Sequence, residues 1–241
     1  MVTLHNTVAG QLEKQLDKKE WEGLTDLQVT GEINYADWKF LSTLKQYNNL
    51  STLDLRSTTG LTQTGELDYP FAKFKSLVSI TLPEGITHID DCSFDGCESL
   101  QQINLPQTLT TIGEMAFRGC KSLAQVSIPI NVKYIGTYAF WGCTALTSVI
   151  MPEELEKLGN GAFSNCSSLR SISIPNTIKS IADSTFRNCT ALLSIDLPNS
   201  LEEIKGKAFE HCMRLSEVKL PSTMMSIGDE SFKGCIKLRD I

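Results

Sequence analysis

Between Leu100 and Leu123 the apolar residues fall into three short groups separated by turn residues. Ile103 and Leu105 alternate with polar neighbours, the two-residue period of a strand with one buried face. Pro106 follows at once, and proline brings no N–H to a ladder, so the strand stops there. Leu109 and Ile112 continue inward along a second extended side. Phe117 and Cys120, three apart, then share the inner face of a stretch that reads as one helical turn.

The same pattern returns every 23 residues. Cysteine recurs at 97, 120, 143, 166, 189, 212 and 235, phenylalanine at 94, 117, 140, 163, 186, 209 and 232, and proline at 83, 106, 129, 152, 175, 198 and 221. Repetition at this length without an insertion predicts a solenoid, in which no coil can bury its apolar face until the next is stacked on it. The turn opens on Asp91, Glu114, Thr137, Asn160, Asp183, Gly206 and Asp229, mostly residues suited to a helix N-cap. Before each cysteine stands Gly96, Gly119, Gly142, Asn165, Asn188, His211 or Gly234, types that tolerate positive φ and end a turn. The prediction is an α/β solenoid: a curved body with one ladder of parallel strands about 4.8 Å apart, and short helical turns on the other side.

Upstream the pattern loosens. "LSTLDL" (50–55) and "LTDLQV" (24–29) repeat the strand group at wider spacing, and Phe71 and Phe74 take the places of Phe and Cys. In "NYADWKFLSTLKQY", Phe40, Leu41, Leu44 and Tyr47 keep helical spacing behind a capping box at Asn34 and Asp37. Val8, Leu12 and Leu16 fit one face of a helix. The organisation read from this is an N-terminal helical cap over 1–23, two atypical coils over 24–76 and seven regular repeats over 77–241. Leu238 and Ile241 occupy the core positions of a further strand, and no polar capping unit follows, so the C-terminal end is expected to be uncapped.

Composition narrows the function. A net charge of −6 argues against nucleic acid as a partner. No apolar run approaches the 18 or more residues that span a bilayer, and no export signal is visible at the start. The seven periodic cysteines form a column, whereas a structural metal site needs a tetrahedral group, so they read as buried thiols. Cys92 lies outside the column in a variable position and is the thiol expected to be most reactive. Histidines at 5, 88 and 211 are scattered, and no catalytic, metal or cofactor site can be assembled from them. "GNGAF" (159–163) is ordinary repeat, and Asn165 and Asn188, though in glycosylation-type triplets, sit in the positive-φ position.

The candidate chemistry is therefore a surface. Two outward columns carry Ser79, Gln102, Gln125, Ser148, Ser171, Ser194 and Glu217, and Thr81, Asn104, Ser127, Ile150, Ser173, Asp196 and Lys219. Short polar groups in register offer hydrogen bonds over an extended face. Tyr134, Tyr138 and Trp141 occupy variable positions of a single coil and form a second candidate, because Trp and Tyr dominate binding hot spots.

The sequence word L-x-x-I-x-L-P followed by I-G-x-x-A-F-x-x-C resembles the BspA-type leucine-rich repeat over roughly residues 77–241. The stretch from "VAGQLEKQL" to "LSTLDL" is similar to the segment that precedes such repeats in surface proteins of gut and mouth anaerobes. The resemblance implies a leucine-rich-repeat right-handed superhelix and residence at the cell surface or outside it. It also implies adhesive binding of a protein partner, a host matrix or cell-surface protein among them, or of a glycan. A spacer that presents an adjoining domain is the alternative role.

Overall fold

A computed structural model describes residues 1–60 and 70–239; part of the atypical-coil segment, residues 61–69, and the core position assigned to Ile241 lie outside them. The chain winds into a parallel-strand solenoid of about nine turns. One side is built from β1 (Val2–Asn6), β2 (Asp26–Glu32), β3 (Thr52–Thr59), β4 (Ser79–Thr81), β6 (Gln102–Asn104), β8 (Gln125–Ser127), β10 (Ser148–Ile150), β12 (Ser171–Ser173) and β14 (Ser194–Asp196). A second side carries β5 (His88–Ile89), β7 (Thr111–Ile112), β9 (Tyr134–Ile135), β11 (Lys157–Leu158), β13 (Ser180–Ile181), β15 (Glu203–Ile204) and β16 (Ser226–Ile227). Prolines turn the corner between them as expected. Each carbonyl from Pro106 to Pro221 accepts the N–H three residues on, for example Leu109 N to Pro106 O at 3.1 Å.

The third side departs from the expected helical turn. Alternate amides there reach the next coil, as with Cys92 N to Glu114 O (2.8 Å), Phe94 N to Ala116 O (2.8 Å) and Gly96 N to Arg118 O (2.7 Å). The amides between them close turns three residues back, as with Asp95 N to Cys92 O at 3.0 Å. A helix would consume all of these groups within one coil; this arrangement spends half of them on stacking. Asp91 accordingly caps its neighbour, accepting from Glu114 N at 2.6 Å. The position before cysteine has positive φ throughout, from 59° at Asn188 to 77° at Gly234. A second left-handed position, held by Cys92, Met115, Tyr138, Gly161, Ser184, Lys207 and Glu230, has φ between 54° and 60°.

Inside, like rests on like. Phe71, Phe94, Phe117, Phe140, Phe163, Phe186, Phe209 and Phe232 stack with centroids 5.1–5.9 Å apart and planes within 14° of parallel. Trp38 meets Phe71 edge-on at 5.1 Å and closes the column.

The N-terminal segment combines helical turns at Leu12–Gln15 and α1 (Lys18–Glu22) with a strand, β1, that pairs in parallel with β2. Val8 lies outside these turns and is exposed, whereas Leu12 is buried. In α2 (Tyr35–Thr43) the predicted Asn34–Asp37 capping box is present. Buried Asp37 also accepts from Asn6 Nδ2, Gly10 N and Leu12 N at 3.1, 2.6 and 2.8 Å, which ties the first coil to the second.

The second side opens between β11 and β13. Gly113, Gly136 and Gly159 stack so closely that a Cβ on Gly159 would lie 2.5 Å from the carbonyl carbon of Gly136. Ala182 is the first residue after this stack to bring a Cβ to the position, and there the ladder divides into β5–β7–β9–β11 and β13–β15–β16. Gly159 N bonds to Ile135 O at 2.9 Å, but among the described residues Ala182 N has no such bond to Leu158 O. Phe163 and Phe186 are correspondingly the most separated neighbours in the phenylalanine column, at 5.9 Å. Lys205 keeps its bond to Ile181 O at 2.9 Å on a coil where the glycine stack has already ended.

Candidate functional site

The two outward columns lie on the first strand side, in the expected register. Gln102 pairs with Ser79 and Asn104 with Thr81; Gln125 pairs with Ser148 and Ser127 with Ile150; Ser171 pairs with Ser194 and Ser173 with Asp196. From Gln102 to Asp196 every one of these side chains is exposed. The face is not one continuous sheet, since β6 does not pair with β8, nor β10 with β12. Ile150, 66% exposed among polar neighbours, is its apolar point.

The aromatic cluster separates in space. Tyr134 lies on β9 in the second side, where its hydroxyl donates to Glu156 at 2.8 Å beside the Lys133–Glu156 pair at 2.7 Å. Those two bonds, Lys133 first, lower the Glu156 carboxyl below its usual range, and the bond to Glu156 raises the Tyr134 phenol. Tyr138 and Trp141, 36% and 40% exposed, instead line a groove of about 360 Å³ on the third side with Met115, Arg118, Ser164, Asn165, Ser184 and Arg187.

This groove is the product of two repeat positions read over four coils. One position holds Met115, Tyr138, Gly161 and Ser184; the other holds Arg118, Trp141, Ser164 and Arg187. Tyr138 covers Gly161, where any side chain would strike its ring. Beyond the groove, carboxylates neutralise the same columns. Arg118 meets Asp95 through two bonds of 2.7 Å, and Arg187 Nε stands 2.7 Å from the buried Glu210 carboxylate. Between these pairs the aromatic wall faces small residues, and that step in size makes the depression. Sequence spacing missed it because its far wall comes from the following two coils.

From Cys97 to Cys212 the column thiols are buried and held in the protonated form. Each column cysteine donates its S–H to the carbonyl of the phenylalanine 26 residues earlier, from Cys97 to Phe71 O (3.1 Å) through Cys235 to Phe209 O (3.1 Å). Burial pushes the Cys97, Cys143 and Cys189 thiols up to about 12. All eight cysteines are free. Cys92 is half-buried and is the most accessible of the eight, while burial together with Asp95 raises its thiol as well. Asn165 and Asn188 are structural: Asn188 Nδ2 donates to Asn165 Oδ1 at 2.9 Å. Among the described residues no helix is long and apolar enough to cross a membrane.

The BspA-type leucine-rich repeat region model matches in six copies over residues 66–192 and 156–241. The T. pallidum leucine-rich repeat protein TpLRR is 31% identical, with 68% of this chain and 78% of that one aligned at a TM-score of 0.65. A leucine-rich repeat protein from Bacteroides ovatus is 25% identical over 94% of this chain and 76% of its own, with a TM-score of 0.63. No curated protein sequence matches. Repeat, register and relatives agree, and the chain belongs to the BspA-type leucine-rich repeat family.

Proposed function

We propose that this chain is a recognition module that binds a protein partner through the strand face carrying Gln102, Asn104, Gln125, Ser127, Ser148, Ile150, Ser171, Ser173 and Asp196. Leucine-rich repeat proteins are commonly protein-interaction modules, which supports the class. The observation that carries the reading is the exposure of both side-chain columns from β6 to β14, polar donors and acceptors in register on paired strands apart from Ile150. Such a face binds by hydrogen bonds and shape, with little entropy lost on ordering short side chains. Residence at the cell surface or outside it, and a partner among host matrix or surface proteins, belong to the same proposal. The test is binding to an immobilised panel of matrix and cell-surface proteins by wild type and by a Ser148→Arg/Ser171→Arg double variant. The proposal expects at least about tenfold weaker binding by the variant, equivalent to about 1.4 kcal/mol. No partner in the panel, or equal binding by both proteins, contradicts it.

A further inference from the structure

We infer that the groove between Trp141 and Arg187 is a saccharide site selective for acidic sugars, carboxylated hexoses above all. It lies on a different side of the solenoid from the strand face and does not depend on that reading.

Three features of the groove point to this ligand. Its wall is a pair of rings, Tyr138 and Trp141, each more than a third exposed and with no aromatic partner among the described residues. Its floor carries the hydroxyls of Ser164 and Ser184. Ser164 is 3% exposed, and its Oγ accepts from Asn165 Nδ2 at 3.1 Å. The Ser164 proton has no acceptor among the described residues, nor does the Ser184 side chain have a hydrogen bond. Both hydroxyls can therefore donate to a ligand hydroxyl in the groove. Its charged lining residues are Arg118 and Arg187, each already paired with a carboxylate outside the groove, Asp95 and Glu210, and each with guanidinium N–H groups left over.

The ends of the groove define the fit. Arg118 and Arg187 stand three coils apart, about 14 Å at the spacing of parallel strands. Arg118 spends Nε and Nη2 on Asp95, which leaves the two N–H groups of Nη1 for a ligand carboxylate. An apolar peptide anchor would need a deep dry pocket. This depression is open and is floored by serine, which suits a ring whose face stacks while its rim makes hydrogen bonds.

Trp21 and Trp38 are buried, so Trp141 is the exposed tryptophan and its fluorescence reports on the groove. The probe is trigalacturonate, with its fully methyl-esterified form as a neutral control that keeps the ring faces. The inference expects trigalacturonate to bind at least tenfold more tightly than the ester, with the difference shrinking as salt is raised. Trp141→Ala, followed by calorimetry, should weaken both by tenfold or more. The paired change Asp95→Asn with Arg118→Gln removes a guanidinium without orphaning its carboxylate, and it should reduce the preference for acid while sparing the ester. Ser148→Arg/Ser171→Arg on the strand face should leave all of these values unchanged. Trigalacturonate binding weaker than about 1 mM, equal affinity for acid and ester, or unchanged affinity in Trp141→Ala would each overturn the inference.

Discussion

Cys143 donates its thiol proton to the carbonyl oxygen of Phe117 across 3.2 Å, linking one coil to the coil before it through the core. That carbonyl also accepts from Cys120 N at 3.2 Å, so replacing Cys143 with Ala removes one of its two donors and leaves a small void. The expected cost of the lost bond is about 0.5–1.5 kcal/mol in chemical denaturation. A change within error would mean that the thiol is only a space-filler.

Phe140 is fully buried between Phe117 at 5.1 Å and Phe163 at 5.3 Å. Phe140→Ala should cost about 3–5 kcal/mol, because coils fixed on both sides cannot collapse into the cavity. A loss below about 1 kcal/mol would contradict the stack.

Alkaline pH should dissolve what neutral pH holds. The column thiols are raised from 9.0 to about 12 at Cys97, Cys143 and Cys189, so the folded state keeps protons that the unfolded chain releases. Their contribution is complete below pH 9 and is lost as pH rises from there toward 12, at about 1.4 kcal/mol per pH unit for each thiol. Denaturation midpoints at pH 8, 9 and 10 should therefore fall steeply over the last step; a level profile would refute the burial of the column.

The opening between β11 and β13 predicts uneven amide protection. Gly136 and Gly159 donate to Ile112 and Ile135 at 2.8 and 2.9 Å, while Ala182 has no cross-coil bond among the described residues. Hydrogen exchange should be faster at Ala182 than at Gly159 or Lys205. Equal protection at all three would show the ladder to be closed.

The core was legible because each slot has one requirement. Only a flat ring stacks on Phe117, and only a small donor fits beside it, so the same letters return. The second left-handed position was not legible, since Met115, Tyr138, Lys207 and Glu230 are ordinary residues at positive φ, the first three with amides that donate to the next coil. The strand Val2–Asn6 was hidden too, because its two inward residues are Leu4 and the polar Asn6, which break the apolar alternation of the later strands. Of the candidate surfaces, the strand columns followed from period two alone. The groove did not, because adjacency in one coil placed Tyr134 with Trp141, whereas stacking placed Ser164, Ser184 and Arg187 there.

The most direct test of the stacked column is thiol labelling with an uncharged alkylating reagent, counted by mass spectrometry. The folded protein should take up label slowly and at no more than Cys92, with all eight cysteines reacting once it is unfolded. Rapid labelling of several column cysteines in the folded protein would contradict the account.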